Sequence, residues 1–409
     1  MPDELLIDGF GPLPVRRPES VADLGELVRQ AAAAGRGVYP TGTGTALDLG
    51  LPPAKPGEVV ETGKISGVVE HAARDLTITV RAGTTAAELR RVLATEGQRL
   101  PVEFGGTVGG AIACNRSGPR RLGFGTLRDY LIGISFVADD GVEVKAGGRV
   151  VKNVAGYDLM KLHTGALGTL GVVTQATFKV TPVPEAPALV AFGVNAAAVG
   201  PTLDRLHVSA SRPVAVELLN RSAAAAVAKA AETPLPASDP WVIVVGFEEK
   251  AVTVAWQVSA LLAELKAAPV RDVAEARGAE AERLWAALGG LQDAAGSQLV
   301  VKATNRPSRT AAVAAALAAA HPDLLVQAHA GNGVVYGHLS SPDLTPERAS
   351  AILAAVPSDD GSVTVRRCPP GWKRQLPVWG RPRGDWAVMR TVKQTLDPAD
   401  VFNPGRLFG

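Results

Sequence analysis

The sequence predicts an α+β protein of more than one domain, and three observations support this. The first half alternates short apolar strands with amphipathic helices and contains four glycine-rich segments. The proline-rich stretch "TPVPEAPA", Thr181 to Ala188, then marks a change of composition. Beyond it, strands alternate with alanine-rich helices, as in a sheet covered by helices. The 409 residues are enough for two or three domains.

Composition and charge argue against several functional classes. The net charge is +2 and aromatic residues make up 5% of the chain, so nothing indicates nucleic-acid binding. Cys114 and Cys368 lie far apart without a C-x-x-C pair, which argues against an iron–sulfur cluster or zinc site and fits a reduced, cytoplasmic setting. The N-terminal residues carry acids, and no apolar run reaches the ~18 residues of a membrane span. We therefore expect neither a signal peptide nor a transmembrane segment.

The elements of the first half follow from caps, alternation and turns. Ser20 is expected to cap a helix over "ESVADLGELVRQAAAAGRG", and "GVYPTG" predicts the next strand. "VVEHAARDLTITVRAGTT" predicts two strands around a turn, after which Thr84 or Thr85 caps the helix "AAELRRVLATEG". "FGGTVGGAIACNRSGPRRLGFGTLRD" predicts loops around one short helix. "YLIGISFVADDGVEVKAGG" predicts a hairpin turned at Asp140-Gly141, and "VVTQATFKVTP" predicts a further strand.

The second half shows a simpler alternation. Strands are predicted in "ALVAFGV", "VAVELL", "WVIVVGFE", "QLVVKA", "LLVQAHA" and "GVVYGHL". Alanine-rich segments such as "AVTVAWQVSALLAELKAA" and "TAAVAAALAAAH" predict packed helices between them. The closing "LDPADVFNPGRLFG" predicts the end of a short helix and then a tail rich in proline and glycine.

The glycine-rich segments carry the strongest functional signal. They span Thr41–Thr45, Gly105–Gly110, Gly123–Gly125 and Gly165–Gly171. Glycine permits close approach and positive φ, and it leaves N–H groups free for oxyanions. "VYPTGTGTALDLG" matches neither a P-loop nor G-x-G-x-x-G, because Leu47 stands in place of the third glycine. That loop either holds a phosphate by another architecture or is only a turn, but the four segments together favour one extended ligand.

These motifs resemble the flavin domain of the vanillyl-alcohol-oxidase superfamily. The resemblance rests on "YPTGTGT", "TVRAGTTAAELRRVL", "GGTVGGAIACNRSGPRRLGFGTLRDY", "KNVAGYDLMKLHTGALGTLGVV" and the tail "VKQTLDPADVFNPGRLFG". Within the superfamily the chain is similar to the flavin E subunit of bacterial glycolate oxidase complexes. The resemblance implies a two-lobed PCMH-type FAD-binding domain at 1–182. It also implies a smaller α+β cap domain of antiparallel sheet with helices at 183–375, and a tail at 376–409 that returns to the FAD domain.

The resemblance also implies which positions hold FAD. The loop from Pro40 would wrap the pyrophosphate, and later segments would follow the ribityl chain, the flavin ring and the adenine. Many relatives attach FAD covalently through a histidine in these loops; neither loop has one, so non-covalent FAD is expected. The expected FAD-binding residues are Pro40, Thr41, Gly42, Thr43, Gly44 and Thr45 at the pyrophosphate; Gly106, Thr107, Gly109 and Gly110 along the diphosphate and ribityl chain; Asn115, Ser117, Gly118, Gly125, Thr126 and Asp129 near the ring; Gly168, Thr169, Gly171 and Val172 at the adenine; and Asn403 returning to the isoalloxazine.

Catalytic residues are not identified by the sequence. Oxidation of a 2-hydroxy acid needs a base and a carboxylate anchor beside the flavin. Larger relatives hold a metal in a segment like H-x-G-D-G-N-x-H, whereas "HAGNGVVYGH" has Asn332 in place of the acid. We therefore expect no metal, and a hairpin turned at Asn332-Gly333 with structural histidines is the favoured interpretation. His329, His338 and Arg374 are the catalytic candidates.

Basic residues leave two interpretations open. They either anchor a substrate carboxylate or form a solvated or partner-facing surface. In "KNVAGYD", Lys152, Tyr157 and Asp158 either lie near the flavin ring or cap and pack their turn. The basic residues in question are Arg116, Arg120, Arg121, Arg366, Arg367, Lys373, Arg374, Arg381 and Arg383.

Three functional hypotheses follow. The first is an FAD-binding subunit of a glycolate dehydrogenase complex that oxidises a glycolate-like 2-hydroxy acid, with a larger flavin subunit and an iron–sulfur subunit as partners. Such a complex would be cytoplasmic, or peripheral at the inner membrane through a partner. The second is a stand-alone FAD-dependent dehydrogenase of another hydroxyacid or alcohol. The third is a non-catalytic, flavin-bearing scaffold subunit, which the altered histidine segment favours over the second.

Overall fold

The computed structural model describes residues 2–150, 156–292, 296–359 and 361–408, which form two compact units. The first unit comprises Met1–Ser117, Thr126–Val183 and Pro382–Gly409. The second comprises Gly118–Gly125 and Pro184–Arg381. The chain therefore enters the second unit twice, first for a short excursion and then for its long central part.

Helices and strands alternate along the described residues. The strands are β1 Glu4–Ile7, β2 Phe10–Arg16, β3 Gly37–Thr41, β4 Gly57–Glu61, β5 Val68–Ala72, β6 Thr77–Arg81, β7 Gln98–Arg99, β8 Leu131–Val137, β9 Glu143–Gly147, β10 Val172–Lys179, β11 Thr181–Pro182, β12 Ala186–Val194, β13 Ala215–Asn220, β14 Trp241–Glu249, β15 Val270–Arg277, β16 Leu299–Thr304, β17 Leu325–His329, β18 Val334–Leu339 and β19 Ser362–Arg367. The α-helices are α1 Val21–Ala33, α2 Ala86–Ala94, α3 Val108–Cys114, α4 Arg121–Phe124, α5 Leu127–Tyr130, α6 Leu159–His163, α7 Val199–His207, α8 Arg221–Ala231, α9 Ala251–Leu265, α10 Gly278–Leu291, α11 Thr310–Ala320, α12 Pro346–Ala355 and α13 Trp386–Leu396. Short 3₁₀ turns lie at Thr62–Lys64, Ala73–Asp75, Ala196–Ala198, Pro307–Arg309, Ala330–Asn332 and Pro370–Trp372.

In the first unit, a mixed sheet of order β1-β2-β4-β3 lies beside an antiparallel sheet of order β5-β6-β10-β8-β9. The strands β2 and β3 both run parallel to β4. A buried apolar cluster joins the two sheets through α1, and burial of such side chains is the main stabilising term of a fold. Its members include Leu24, Val28, Val38, Val60, Val137, Val172, Val401 and Phe402.

The C-terminal tail is part of this core. The amide of Val38 donates to the carbonyl of Val401 at 2.7 Å, and the amide of Asn403 donates to the carbonyl of Val38 at 2.9 Å. These bonds place the tail along the open edge of β3. Because Phe402 is fully buried, the tail also contributes apolar surface to the interior of the first unit.

Local signals explain most elements of the first unit. Ser20 and Asp23 form a capping box at the start of α1, as the sequence predicts. The hydroxyl of Thr85 accepts from the amide of Glu88 and caps α2. Gly141, with φ of +73°, turns the hairpin of β8 and β9. The predictions for these elements are confirmed.

The prediction of one short helix in the segment from Phe104 to Asp129 is wrong, because α3, α4 and α5 all form there. The hydroxyl of Thr107 accepts a hydrogen bond from the amide of Gly110 and caps the start of α3. Asn115, which has φ of +46°, caps the end of the helix. The Asp129 carboxylate accepts from the amide and hydroxyl of Thr126 and so caps α5. The many glycines of the segment concealed these caps, since glycine has a low helix propensity.

The second unit is an antiparallel sheet of order β15-β12-β14-β13-β17-β18-β16-β19 with helices packed against it. Helices α8 and α10 cover part of the sheet with an apolar cluster that includes Leu219, Val244, Leu284 and Trp285. The predicted strands are confirmed, and so is the hairpin of β17 and β18, which turns at Gly333 with φ of +67°. Strands β15 and β19, at the two edges of the sheet, were not predicted, because both carry charged residues that interrupt the apolar pattern.

Candidate functional site

A narrow depression opens in the first unit where β3 ends. The loop after β3 forms one wall, α3 forms another, and Leu167, Asn403 and Arg406 close the site. The depression has a volume of about 90 Å³. A second depression of about 60 Å³ shares Gly42 and Gly110 with the first and continues along Gly168. The two together form an elongated trough with several glycine residues in its lining.

Most of the predicted cofactor residues line this trough. The first depression collects residues from the loop after β3, from α3 and from the tail. The second adds Thr62, Gly109 of α3, and Gly168, Gly171, Val172 and Val173 after α6. The predicted residues at the trough are Pro40, Thr41, Gly42, Thr43, Gly44, Thr45, Thr107, Gly109, Gly110, Gly168, Gly171, Val172 and Asn403. Segments up to 363 residues apart, from Pro40 to Asn403, thus meet at one place.

Close contact between two loops requires glycine in this trough. A Cβ on Gly42 would lie 2.1 Å from Oγ1 and 2.7 Å from Cγ2 of Thr107. Gly106 has φ of +72°, and its Cβ position lies 2.9 Å from the hydroxyl of Thr45 and 3.0 Å from that of Thr43. The glycines therefore let the loop after β3 lie directly against the start of α3.

The loop after β3 offers unused hydrogen-bond donors. Among the described residues, the amides of Thr43, Gly44 and Thr45 have no acceptor. Gly44 has φ of +76°, so the successive N–H groups curve into a nest of the kind that binds anions. By contrast, the amide of Gly109 donates to the carbonyl of Ala82 at 2.8 Å, so Gly109 contributes a bare wall and no donor. This arrangement suits a diphosphate.

Asn115 adds an unsatisfied acceptor beside the trough. Its Oδ1 atom is buried and has no hydrogen-bond partner within the described ranges. The residues on either side, Cys114 and Arg116, line the first depression. A buried oxygen without a partner costs about 1–3 kcal/mol, so a bound group that donates a hydrogen bond would relieve it.

Sequence reasoning missed Arg406, which fixes the segment after the glycine loop. Its guanidinium donates to the carbonyls of Leu51 at 2.7 Å, Leu49 at 2.5 Å and Leu47, and pairs with Asp8. The Arg406 and Asp8 side chains are only 6% and 1% exposed. The signal in the sequence is one arginine in "NPGRLF", and nothing local shows what it binds.

Lys393 is a second missed residue. Its Nζ donates to the carbonyls of Thr169 and Phe402, both at 2.9 Å, and pairs with Asp397. The Asp397 carboxylate in turn accepts the amides of Val401 and Phe402, both at 2.8 Å. This network ties the tail to the segment of Thr169, whose hydroxyl donates to Ala166. The i, i+4 spacing of Lys393 and Asp397 is the available sequence signal.

Several predicted residues do not line the trough. Ser117 is buried, Gly118 and Gly125 belong to the second unit, and Thr126 and Asp129 are engaged in capping α5. Their roles at the flavin ring stay predictions. In the motif "KNVAGYD", Tyr157 is 90% exposed, Asp158 caps α6 and Lys152 lies outside the described residues.

In the second unit, His329 lies in a buried hydrogen-bond network. Its Nδ1 lies 2.6 Å from Oε1 of Glu217, and its Nε2 lies 3.0 Å from Nε2 of Gln292. Both His329 and Glu217 are almost fully buried. Because the glutamine amide donates to Nε2, the ring proton lies on Nδ1 and points to the glutamate. Both ring nitrogens are thus engaged by protein groups.

His338 lies on the neighbouring strand and, unlike His329, is not part of a hydrogen-bond network among the described residues. It is fully buried, and within the described ranges neither ring nitrogen has a hydrogen-bond partner. Burial, with a smaller contribution from Arg367, lowers the pKa of His338 to about 4. The imidazole is therefore neutral at physiological pH. Among the described residues, no group of three or more His, Cys, Asp or Glu side chains is arranged to hold a metal ion.

Basic side chains gather near Tyr336 on the same sheet. Lys302 is paired with Tyr336 in the register of β16 and β18. Tyr336 raises the pKa of Lys302, but burial and the charges of Arg366 and Arg121 outweigh it, so the net pKa lies below the ordinary value. Lys302, Arg366 and Arg121 thus lie close enough for their positive charges to repel one another. Arg374 is exposed in the loop after the last 3₁₀ turn.

Other arginines are engaged by protein groups. Arg120 pairs with Glu248 at 2.6 Å and stacks on Trp285, 4.1 Å from the ring centroid. Arg383 pairs with Asp385 at 2.9 Å. Arg116 donates to the carbonyl of Thr45 at 3.3 Å and so braces the glycine loop.

The trough defines a class of protein that holds an elongated, anionic cofactor by its main chain. Comparison with protein families gives the same class in more detail. Residues 12–147 match the family described as FAD binding domain, and residues 182–339 and 378–407 match the family described as FAD linked oxidases, C-terminal domain. The chain belongs to the FAD-linked oxidases, with a PCMH-type FAD-binding domain, and is an FAD-dependent oxidoreductase.

Curated relatives carry names from hydroxyacid oxidation. The chain is 27% identical over 427 residues to a D-2-hydroxyglutarate dehydrogenase of Xanthomonas citri pv. viticola, covering 97% of this chain and 89% of that protein. It is 26% identical to glycolate oxidase subunit GlcD of Bacillus subtilis, covering 91% and 83%. It is 37% identical over 166 residues to glycolate oxidase subunit GlcE of Escherichia coli, covering 39% and 47%.

The solved structure of an alkyldihydroxyacetonephosphate synthase shares the fold. It superposes with a TM-score of 0.65 at 17% identity, covering 96% of this chain and 77% of that one. The predictions of an α+β PCMH-type fold and of FAD are confirmed, whereas the roles of individual residues stay predictions. None of the helices in the described part of the chain has the length and apolar character needed to cross a membrane.

Proposed function

We propose that this chain is the FAD-bearing subunit of a glycolate-oxidase-type complex that oxidises a small 2-hydroxy acid to the 2-oxo acid. The observation that carries the proposal is the match to the FAD-linked oxidases, and the substrate side is assigned to a basic cluster in which Arg366 and Arg121 lie close enough to Lys302 to lower its pKa. Such a cluster suits the carboxylate of a small hydroxyacid. Relatives named for D-2-hydroxyglutarate and glycolate support this substrate class.

The trough supplies the cofactor side of this proposal. Bound FAD would supply the hydride acceptor for this oxidation. The amides of Thr43, Gly44 and Thr45 would hold its diphosphate, and Asn115 would accept a hydrogen bond from it. No histidine lies among the residues that line the trough, so we propose non-covalent FAD. Lys302 would bind and orient the substrate carboxylate, and His338, which is neutral, would not compete for it.

A partner is part of the proposal because electrons must leave the flavin. The chain has two cysteines, too few to ligate an iron–sulfur cluster by thiolates alone. We therefore propose an iron–sulfur subunit and a larger flavin subunit as partners, supported by the relatives that are named as subunits. Such a complex would lie in the cytoplasm or at the inner face of a membrane through its partner.

An anaerobic titration of the FAD-loaded chain tests the substrate class. Glycolate, D-lactate and D-2-hydroxyglutarate are added separately while the flavin absorbance near its long-wavelength maximum is followed. We expect one of them to bleach the flavin, and Lys302→Met to raise the half-saturating concentration at least about tenfold, the scale of a lost charge-assisted hydrogen bond. Arg383→Met, which removes an exposed pair with Asp385, is the matched control. Bleaching that is equal in the Lys302→Met variant would contradict the proposed anchor.

A scaffold subunit is the second candidate. It is favoured by His329, whose two ring nitrogens are engaged by Glu217 and Gln292, so that this histidine does not offer a free nitrogen to substrate. A flavin that binds normally but is bleached by none of the three acids, in the chain alone or in the complex purified through a tag on this chain, would establish the scaffold role. A chain that purifies alone and turns over with an artificial acceptor would instead support a stand-alone dehydrogenase.

A further inference from the structure

The turn from Ala166 to Thr169 lies where the two depressions of the trough meet. Leu167 lines both depressions, and Gly168 lines the second. The amide of Thr169 donates to the carbonyl of Ala166 at 3.0 Å, and the two residues between them have φ of +53° and +64°. A hydrogen bond of this span with positive φ at both central positions is the pattern of a type I′ turn.

Leucine is an unfavourable residue at the first central position of such a turn. Type I′ turns favour Asn-Gly, because asparagine and glycine tolerate the left-handed conformation. A bulky side chain with positive φ is an outlier that surrounding contacts must hold, and strained residues of this kind gather at ligand sites. Gly168, at the second central position, adopts positive φ without cost. The strain of the turn is therefore concentrated at Leu167.

Two hydrogen bonds hold Leu167 in this conformation. Its amide donates to the carbonyl of Ala113 at 2.9 Å, and its carbonyl accepts a hydrogen bond from Nδ2 of Asn403 at 2.6 Å. Asn403 is itself left-handed, with φ of +45°, and its own amide donates to the carbonyl of Val38 at 2.9 Å, which fixes it to β3. Because both main-chain polar groups of Leu167 are engaged, its contribution to the trough is an apolar wall.

We propose that Asn403 is a positioning residue for FAD, which holds Leu167 in the left-handed conformation so that Leu167 contacts the cofactor at the junction of the two depressions. Without the bond from Asn403, the turn relaxes and Leu167 leaves the junction. The C-terminal tail thus fixes one wall of the trough through a single side chain. The proposal rests on the FAD-binding domain and not on the substrate, so its failure would be distinct from a failure of the proposed hydroxyacid oxidation.

A double-mutant cycle on the full chain tests the positioning role, with the FAD dissociation constant of the apoprotein measured by quenching of flavin fluorescence. Asn403→Gly keeps the left-handed φ and removes the donor, so FAD should bind about fivefold to tenfold more weakly, the scale of one lost hydrogen bond. In Leu167→Asn the turn carries its favoured residues and no longer needs the bond from Asn403. In that background, Asn403→Gly should change the dissociation constant by less than about twofold. An equal loss in both backgrounds would show that Asn403 contacts FAD directly and would overturn the positioning role.

Leu167→Asn by itself tests the contact with the cofactor, whether or not Asn403→Gly folds. Asparagine is similar in size to leucine and relieves the strain, so the apoprotein should unfold at the same or a higher urea concentration. FAD should bind at least about threefold more weakly, because an apolar wall has become polar. Leu76→Asn is the matched control: Leu76 has φ of +54° but does not line the trough, so FAD affinity should be unchanged. FAD binding as tight as wild type in Leu167→Asn, or a less stable apoprotein, would overturn the proposal.

Discussion

Replacing Gly42 with alanine is expected to weaken FAD binding strongly without unfolding the protein. Gly42 lies where the loop after β3 meets the start of α3, and its φ is not in the positive region. Alanine therefore adopts the backbone conformation without strain, and the whole effect comes from the added methyl group. That methyl group would lie 2.1 Å from Oγ1 and 2.7 Å from Cγ2 of Thr107, far inside van der Waals contact.

The magnitude follows from the cost of overpacking, about 1–3 kcal/mol for an inserted methyl group. The loop is partly exposed in Thr43 and Thr45, so it can relieve the contact by moving away from α3 when FAD is absent. The cost then appears mainly in binding, because FAD needs the loop amides in place. Since 1.4 kcal/mol corresponds to a factor of ten, the FAD dissociation constant should rise about 5- to 150-fold.

The assay is a titration of the apoprotein with FAD, followed by quenching of flavin fluorescence. Gly63→Ala is the matched control, because a Cβ there would meet only Glu61 Oε1 at 3.5 Å. Adding Thr107→Ala to Gly42→Ala removes Oγ1 and Cγ2 and leaves Cβ at 2.9 Å, so it should restore part of the affinity. Gly42→Ala binding FAD as tightly as wild type would refute the assignment of this loop to the cofactor.

Three further predictions concern single residues. Arg406→Leu removes the cation beside buried Asp8 and the donors to three loop carbonyls, so the free energy of unfolding in urea should fall about 3–5 kcal/mol; a loss under 1 kcal/mol would contradict this. His338 has a folded-state pKa of about 4 against an ordinary 6.5, so the unfolded chain binds the extra proton and stability is lost as pH falls between these values. Between pH 7.5 and 5, protonation of His338 in the unfolded chain should lower the free energy of unfolding by about 2 kcal/mol. In urea unfolding, His338→Phe should show a pH dependence smaller by that amount. An unchanged pH dependence would contradict the lowered pKa of His338. Asn115→Gly keeps the left-handed φ and removes the unsatisfied oxygen, so FAD titration should show about fivefold weaker binding while apoprotein stability stays the same or rises; equal affinity would exclude Asn115 from the site.

Local patterns allowed much of the fold to be predicted. The capping box of Ser20 and Asp23, the turn at Gly141 and the hairpin at Gly333 each depend on residues within one turn of each other. Each forms from residues that are neighbours in the chain, so the sequence shows it directly. The segment from Phe104 to Asp129 was mispredicted because its caps are separated by glycines that lower the helix propensity of each short run.

The candidate site was predicted only in part, for a physical reason. Glycine runs show where main chain is free of side chains, and this was enough to indicate the loops that line the trough. The same runs do not show which amide N–H groups lack an acceptor. The amides of Thr43 and Gly44 have no acceptor among the described residues, whereas the amide of Gly109 donates to the carbonyl of Ala82. Likewise, the sequence could not show that Glu217 and Gln292 engage both nitrogens of His329, because neither residue is near it in the chain.

By itself, the sequence determined where several helices are capped and several hairpins turn, and it predicted that side-chain-poor segments serve one extended ligand. Only the tertiary structure decided which atoms those segments offer. Arg406 pairs with Asp8 across 398 residues, and Lys393 binds the carbonyl of Thr169 across 224. Such contacts depend on burial and on the mutual position of distant segments, and in water the same charges would stay solvated and unpaired.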